Sequence, residues 1–167
     1  MYLLHNIGIS PNSAAHIKAN YNTREQITAT TGPLSFDGIY TNVWENRDVI
    51  KGRNALLFVM GNYIGKDNRF DTGMPHETYC TQEQLDDLIT DGHTLAWHTW
   101  SHPDLTTLSY EEAKKEMTPS FPCDDLAYPY GRFNEMTMQI AQELGYKRAW
   151  SVTQGNQNPY SLFRRYI

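Results

Sequence analysis

Six short apolar runs rich in β-forming residues punctuate the chain, and most are separated by segments of helical spacing. They are YLLHNI (2–7), PLSFD (33–37), NALLFVM (54–60), HTLAWH (93–98), DLAYPY (125–130) and KRAWSV (147–152). The intervening TQEQLDDLITDG opens with a Thr81 to Gln84 capping box, carries Leu85, Leu88 and Ile89, and stops at Gly92. SYEEAKKEM repeats that opening with Ser109 and Glu112, and NEMTMQIAQELGY sets Met136, Ile140, Ala141 and Leu144 on one face before Gly145. TNVWENRDVIKG is a weaker helical pattern, with Val43, Trp44, Val49 and Ile50 as its apolar positions.

Strands alternating with helices imply parallel pairing through right-handed crossovers. A complete eightfold barrel takes about 250 residues, and this chain has 167. The expectation is therefore an α/β fold, an incomplete (β/α) barrel of about seven parallel strands, built as a single domain over 1–167 with no repeat or linker to divide it. In such barrels chemistry gathers at the C-terminal ends of the strands. His5 follows YLL there, Asp37 follows LSF, His98 follows LAW and Tyr130 follows LAYP.

Charge narrows the partners. The formal net charge is -5 and the pI near 5.6, with no run of Lys or Arg, which argues against nucleic acid and an anionic membrane surface. No apolar run approaches the roughly 20 residues of a membrane-spanning helix. MYLLHNIGIS has neither a basic n-region nor a long apolar stretch, so a cytoplasmic location is expected. Cys80 and Cys123, far apart and outside any CxxC pattern, are read as reduced. Oligomeric state is not legible.

HTWSH places imidazoles at i and i+4, the spacing with which a helix or tight turn aims two nitrogens at one ion. A strand end with a packed His98 and a loop His102 would leave the same spacing. A third donor is Asp37, which ends an apolar strand and is followed by Gly38; an N-cap or Asx-turn would use the same pair. In LAYPYGRFNE, Pro129 and Gly131 bracket Tyr130, so its amide can be held rigidly toward an open site as an oxyanion donor requires, or can simply make a turn.

Taken together, LSFDG, GHTLAWHTWSHPDL, LAYPYGRFNE and ELGYKRAWSV resemble the polysaccharide deacetylase family, carbohydrate esterase family 4, from about Leu34 to Val152. The resemblance implies a distorted, incomplete (β/α) barrel holding a divalent ion, most often Zn, through one Asp and two His, here His98 and His102. LLHNI resembles the YHxI segment of the subgroup related to poly-N-acetylglucosamine deacetylases, whose catalytic His comes from the first strand, and AYPYG is similar to that subgroup's form. His5 is accordingly the expected acid. Nothing after Val152 resembles the Leu-x-His motif of other members.

Two departures stand out. The family writes FDDG, its first Asp a base and its second a metal ligand, whereas this chain writes FDG. Counting from Phe36 makes Asp37 the base and counting back from Gly38 makes it the ligand. Two histidines alone hold a catalytic ion poorly, whereas loss of a separate base costs about 10² to 10⁴ in rate, so Asp37 is assigned to the metal. The Arg that pairs with the base in the family is also missing from its place, taken by Ala127.

The expected activity is metal-dependent removal of an N-acetyl group from an amino sugar in a polysaccharide, oligosaccharide or glycan precursor, with Tyr130, Tyr128, Trp100 and Tyr40 as candidate substrate contacts. The alternative is a catalytically weakened module of the same fold that binds carbohydrate or metal.

Overall fold

The computed structural model describes residues 1–7, 21–70, 76–153, 155 and 157–166. Strand β1 (Tyr2–Leu4) leads to β2 (Asn6–Ile7), which pairs in parallel with β3 (Tyr21–Asn22) as a separate two-stranded sheet. Then follow α1 (Arg24–Ala29), β4 (Leu34–Asp37), α2 (Thr41–Glu45), β5 (Leu56–Val59), α3 (Gln82–Thr90) and β6 (Thr94–Trp97). The second half contributes α4 (Tyr110–Met117), β7 (Asp125–Ala127), α5 (Glu135–Glu143), β8 (Arg148–Ser151), β9 (Leu162–Phe163) and β10 (Arg165–Tyr166).

The main sheet has eight strands, all parallel, in the order β10-β1-β4-β5-β6-β7-β8-β9. All six strands expected from apolar runs form. The expected total of about seven falls short because β9 and β10, at opposite edges of the sheet, are consecutive pieces of one segment. Trp150 pairs with Leu162 on one side of that segment and Tyr2 with Arg165 on the other. Between them Arg164 N–H donates to Ser151 O at 2.8 Å. The chain's last residues thereby nearly close the sheet into a barrel.

Helix boundaries follow the capping chemistry. Thr81, Ser109 and Asn134 cap α3, α4 and α5 through reciprocal boxes, and Thr23 does the same for α1, a helix the apolar pattern did not reveal. Gly92 and Gly145 follow α3 and α5 with left-handed backbone, as expected. The weak pattern over 41–52 breaks into α2 and a 3₁₀ turn at Arg47–Val49, burying Val43 and Ile50.

Period-two alternation sorts the strand residues between two environments. Leu34, Phe36, Leu57 and Val59 pack outward beneath the first helices, and Trp97 and Leu126 beneath α4 and α5. Ser35, Asp37, Phe58, Ala96 and Ala127 take the alternate positions, and small residues among them leave room inside the barrel for Arg164, whose guanidinium lies 4.7 Å from the Phe58 ring centre. Both cysteines are free thiols. Among the described residues no helix is long and apolar enough to cross a membrane.

Helix α3 offers a direct check on this packing. Leu88 is fully buried whereas Ile89, expected on the same apolar face, is 44% exposed. Leu88→Ala should cost about 2–5 kcal/mol in urea unfolding, and Ile89→Ala no more than about 0.5 kcal/mol; equal costs would mean that α3 docks on another face.

Candidate active site

A cavity of about 210 Å³ opens at the C-terminal ends of the strands. His5, Asp37, His98, His102, Tyr128 and Tyr130 line it, so the structure brings together the candidate acid, carboxylate and imidazoles from segments scattered along the sequence. Tyr40 also lines it, stacked on Tyr79 with ring centres 4.5 Å apart. Trp100 does not: its ring packs edge-on to Trp97 and its indole N–H donates to Thr118 O at 2.9 Å. Tyr128 presents itself from a buried position, its hydroxyl donating to Tyr160 O.

Asp37 and Arg164 dominate the electrostatics. Arg164 reaches Asp37 through both terminal nitrogens, Nη1 to Oδ1 at 2.6 Å and Nη2 to Oδ2 at 2.8 Å, and also donates to Ser35 Oγ at 3.2 Å. Burial works to raise the Asp37 carboxyl, but Arg164, with help from His98 and His5, outweighs it and holds the group well below the usual carboxylate range. Asp37 is therefore ionised, held by an arginine 127 positions along the chain. Nothing in SLFRRYI marked that residue in advance beyond two cations in an otherwise apolar segment.

His98 is oriented by its neighbour strand. Its Nδ1 lies 2.8 Å from Ala127 O, and a carbonyl can only accept, so Nδ1 carries the proton and Nε2 keeps its lone pair. That Nε2 is 3.6 Å from Asp37 Oδ2. The His102 ring stands 4.7 Å from both the His98 and the Tyr130 rings. Burial, then the neighbouring His98, pushes His102 down to about 3; burial likewise lowers His98 and takes His5 to about 4. All three imidazoles are neutral at pH 7. His5 Nδ1 is closed off from solvent with no partner among the described residues.

Two turns deliver the remaining groups with left-handed backbone at non-glycine residues, Thr99 (φ 69) and His102 (φ 60) in one, Tyr130 (φ 57) in the other. The second turn is pinned to the end of β8. Ser151 Oγ and Thr153 Oγ1 both donate to Gly131 O, and a Cβ on Gly131 would come within 2.8 Å of Val152 backbone N. Tyr130 N–H donates to no loop or turn carbonyl among the described residues.

The donor chemistry suits a divalent ion. It comprises two neutral imidazoles and an ionised carboxylate, with Nε2 of His98 and Oδ2 of Asp37 no farther apart than two donors that each sit about 2.0–2.2 Å from one ion. A carboxylate has about four lone-pair sites, and the Arg164 fork uses one on each oxygen. The set is not pre-assembled: among the described residues no three His, Cys, Asp or Glu side chains already stand as a ligand group.

A nearly closed parallel barrel with ionisable side chains collected at its C-terminal strand ends places them on the face where α/β barrels carry their sites. The chain belongs to the polysaccharide deacetylase family, whose sequence model matches residues 26–149. It is 28% identical over 147 residues to YxkH of Bacillus subtilis (strain 168), the match covering 78% of this chain and 49% of that protein, so the chain spans about half the length of this relative. Chitin deacetylase of Amylomyces rouxii is 35% identical over 66 residues, 34% of this chain and 16% of the enzyme. Among solved structures, the Streptococcus pyogenes deacetylase PplD superimposes with TM-score 0.77 at 19% identity, covering 99% of this chain and 90% of its own. IcaB from Ammonifex degensii gives 0.75 at 15% identity, covering 99% and 91%. At those identities the likeness establishes the fold.

Arg164→Ala would leave Asp37 as a buried charge without its partner and should cost about 3–5 kcal/mol at pH 7. In the wild type the depressed Asp37 pKa contributes stability above the unfolded value of about 3.9, lost as pH falls toward the folded value. In the variant the dominant cation is gone and only His98 and His5 oppose burial, so Asp37 protonates at higher pH and the penalty is relieved. Urea unfolding should therefore show the gap between the two proteins narrowing from pH 7 to pH 4; a constant gap would mean that the pair carries no buried charge.

Proposed function

We propose that this chain is a metal-dependent carbohydrate N-deacetylase that converts an N-acetylated amino sugar to the free amine and acetate. The observation that carries the reading is the meeting of His5, Asp37, His98, His102 and Tyr130 in one pocket of a polysaccharide deacetylase fold. Asp37, His98 and His102 would hold the ion, with Zn the best match to two imidazoles and one carboxylate. When bound, such an ion lowers the pKa of its water to about 7 and polarises the acyl oxygen.

The protein's own groups divide the rest of the work. Asp37, clamped by Arg164, is too weak a proton acceptor to serve as base. His5 is neutral and lies in the same pocket, so it takes the proton as the water oxygen bonds to the acetyl carbon. It returns that proton to the sugar nitrogen as the C–N bond breaks. One imidazole thus acts as base and then as acid in place of the carboxylate missing from FDG, with burial making it a weaker acceptor than a free imidazole. The Tyr130 N–H, on the pocket wall, supplies the oxyanion donor. Tyr130, Phe70 and Tyr166 are 54%, 44% and 42% exposed at the pocket, leaving ring faces on which a sugar can lie.

Zn²⁺-loaded protein is expected to release acetate from N-acetylglucosamine oligomers, and chelation to abolish that release reversibly. A bound ion without acetate would instead identify a non-catalytic binding module.

His5→Ala should leave Zn²⁺ content unchanged and lower turnover by about 10² to 10⁴. Asp37→Asn and His98→Ala should lose Zn²⁺ and activity together, as metal analysis and an acetate assay on the same samples would show. Full turnover in His5→Ala would remove it from the chemistry, and Asp37→Asn with full metal content would remove Asp37 from the ligand set.

A further inference from the structure

The turn that carries His102 is held in an unfavourable shape by a carboxylate outside the pocket. Thr99 and His102 both adopt left-handed backbone, a conformation that is costly at a non-glycine residue and persists only where its surroundings enforce it. The enforcing contacts converge on the peptides between them. Trp100 N–H and Ser101 N–H both donate to Glu116 Oε2, at 3.0 and 2.8 Å, and Ser101 Oγ donates to Glu116 Oε1 at 2.7 Å. On the opposite side Thr99 O and Trp100 O accept from Gly61 and Asn62 N–H, and His102 N–H is taken by Thr99 Oγ1 at 3.0 Å.

Glu116 sits in the last turn of α4, where Trp97 Nε1 also donates to its backbone carbonyl at 3.0 Å. Two successive N–H groups cradling one carboxylate form an anion nest, with the protein supplying its own anion. Gly61 brings the other wall in close: a Cβ there would meet the Trp97 and Trp100 rings at 2.6 and 2.5 Å. Within this frame the carboxylate binds three donors of the turn at once.

We infer that Glu116 is a positioning residue, which fixes the His98–His102 turn so that the second imidazole faces the first. This rests on the proposed ligand role of His102 for its consequence in catalysis, but not for its geometry. A carboxylate two steps removed from the ion thus does for His102 what Ala127 O does directly for His98. Loss of such outer contacts lowers metal affinity by about 10- to 100-fold in other sites.

The test uses Glu116→Ala and the isosteric Glu116→Gln, which keeps the volume and one acceptor oxygen. In metal-free protein, backbone HN–Hα couplings of Thr99 and His102, taken together with the short intraresidue HN–Hα distance of left-handed backbone, read the turn. They should be retained in wild type, lost in Glu116→Ala and partly kept in Glu116→Gln. Calorimetric titration with Zn²⁺ should show affinity reduced about 10- to 100-fold in Glu116→Ala, with a smaller loss in Glu116→Gln. Unchanged couplings, or Zn²⁺ affinity equal to wild type in both variants, would overturn the inference. Failure of the wild type itself to bind Zn²⁺ would sink the ligand role of His102, and the couplings alone would then decide the role of Glu116.

Discussion

Inside the barrel a guanidinium and a carboxylate neutralise each other out of reach of bulk water, and the rest of the site is arranged around them. A buried pair repays its desolvation only when geometry is good and further hydrogen bonds satisfy it. Here the fork is bidentate, Ser35 takes an additional N–H, and Phe58 offers its ring face to the cation. Ala96 and Ala127 supply no bulk at the neighbouring inward positions. Larger residues there would compete with Arg164 for the barrel interior, so the small residues and the ion pair are two sides of one packing solution.

The same pair ties the ends of the chain to its chemistry. Arg164 lies between β9 and β10, the pieces that join β8 to β1, and His5 follows β1 directly. Both residues fall outside the stretch 26–149 that the family model matches. Closing the barrel and charging the pocket are therefore one event: the segment that pairs with the two open strands inserts the cation that holds Asp37 ionised.

What could be read from the sequence was what is local. Capping boxes, the imidazole pair in HTWSH and the Pro–Tyr–Gly bracket each declare themselves within a few residues: the boxes cap α3 and α4, the two imidazoles stand 4.7 Å apart, and the bracket makes a turn. Arg164 could not be read that way, because its partner lies 127 positions away and its strands are two residues each, too short for alternation to show. Trp100 shows the converse limit. It neighbours a ligand candidate in sequence, but the left-handed Thr99 turns its ring toward Trp97, away from the cavity. Glu116 was invisible for the same reason as Arg164: its role is carried by the shape of a turn to which it contributes no residue.

The electrostatics of the pocket explain why orientation counts for so much there. Asp37 and Arg164 cancel, and burial keeps His5 and His102 neutral well into the acid range. The pocket therefore offers a cation little net negative charge, although the chain as a whole carries -5. The wider field can raise the concentration of cations near the surface, but on the proposed reading capture inside would depend on lone pairs being aimed. Each aiming contact lies one layer out: Ala127 O on His98 Nδ1, Arg164 on Asp37, and Glu116 beneath the turn of His102. On the proposed reading, a site that relies on direction more than on charge would tolerate the loss of one carboxylate from its motif, provided that this outer layer is intact.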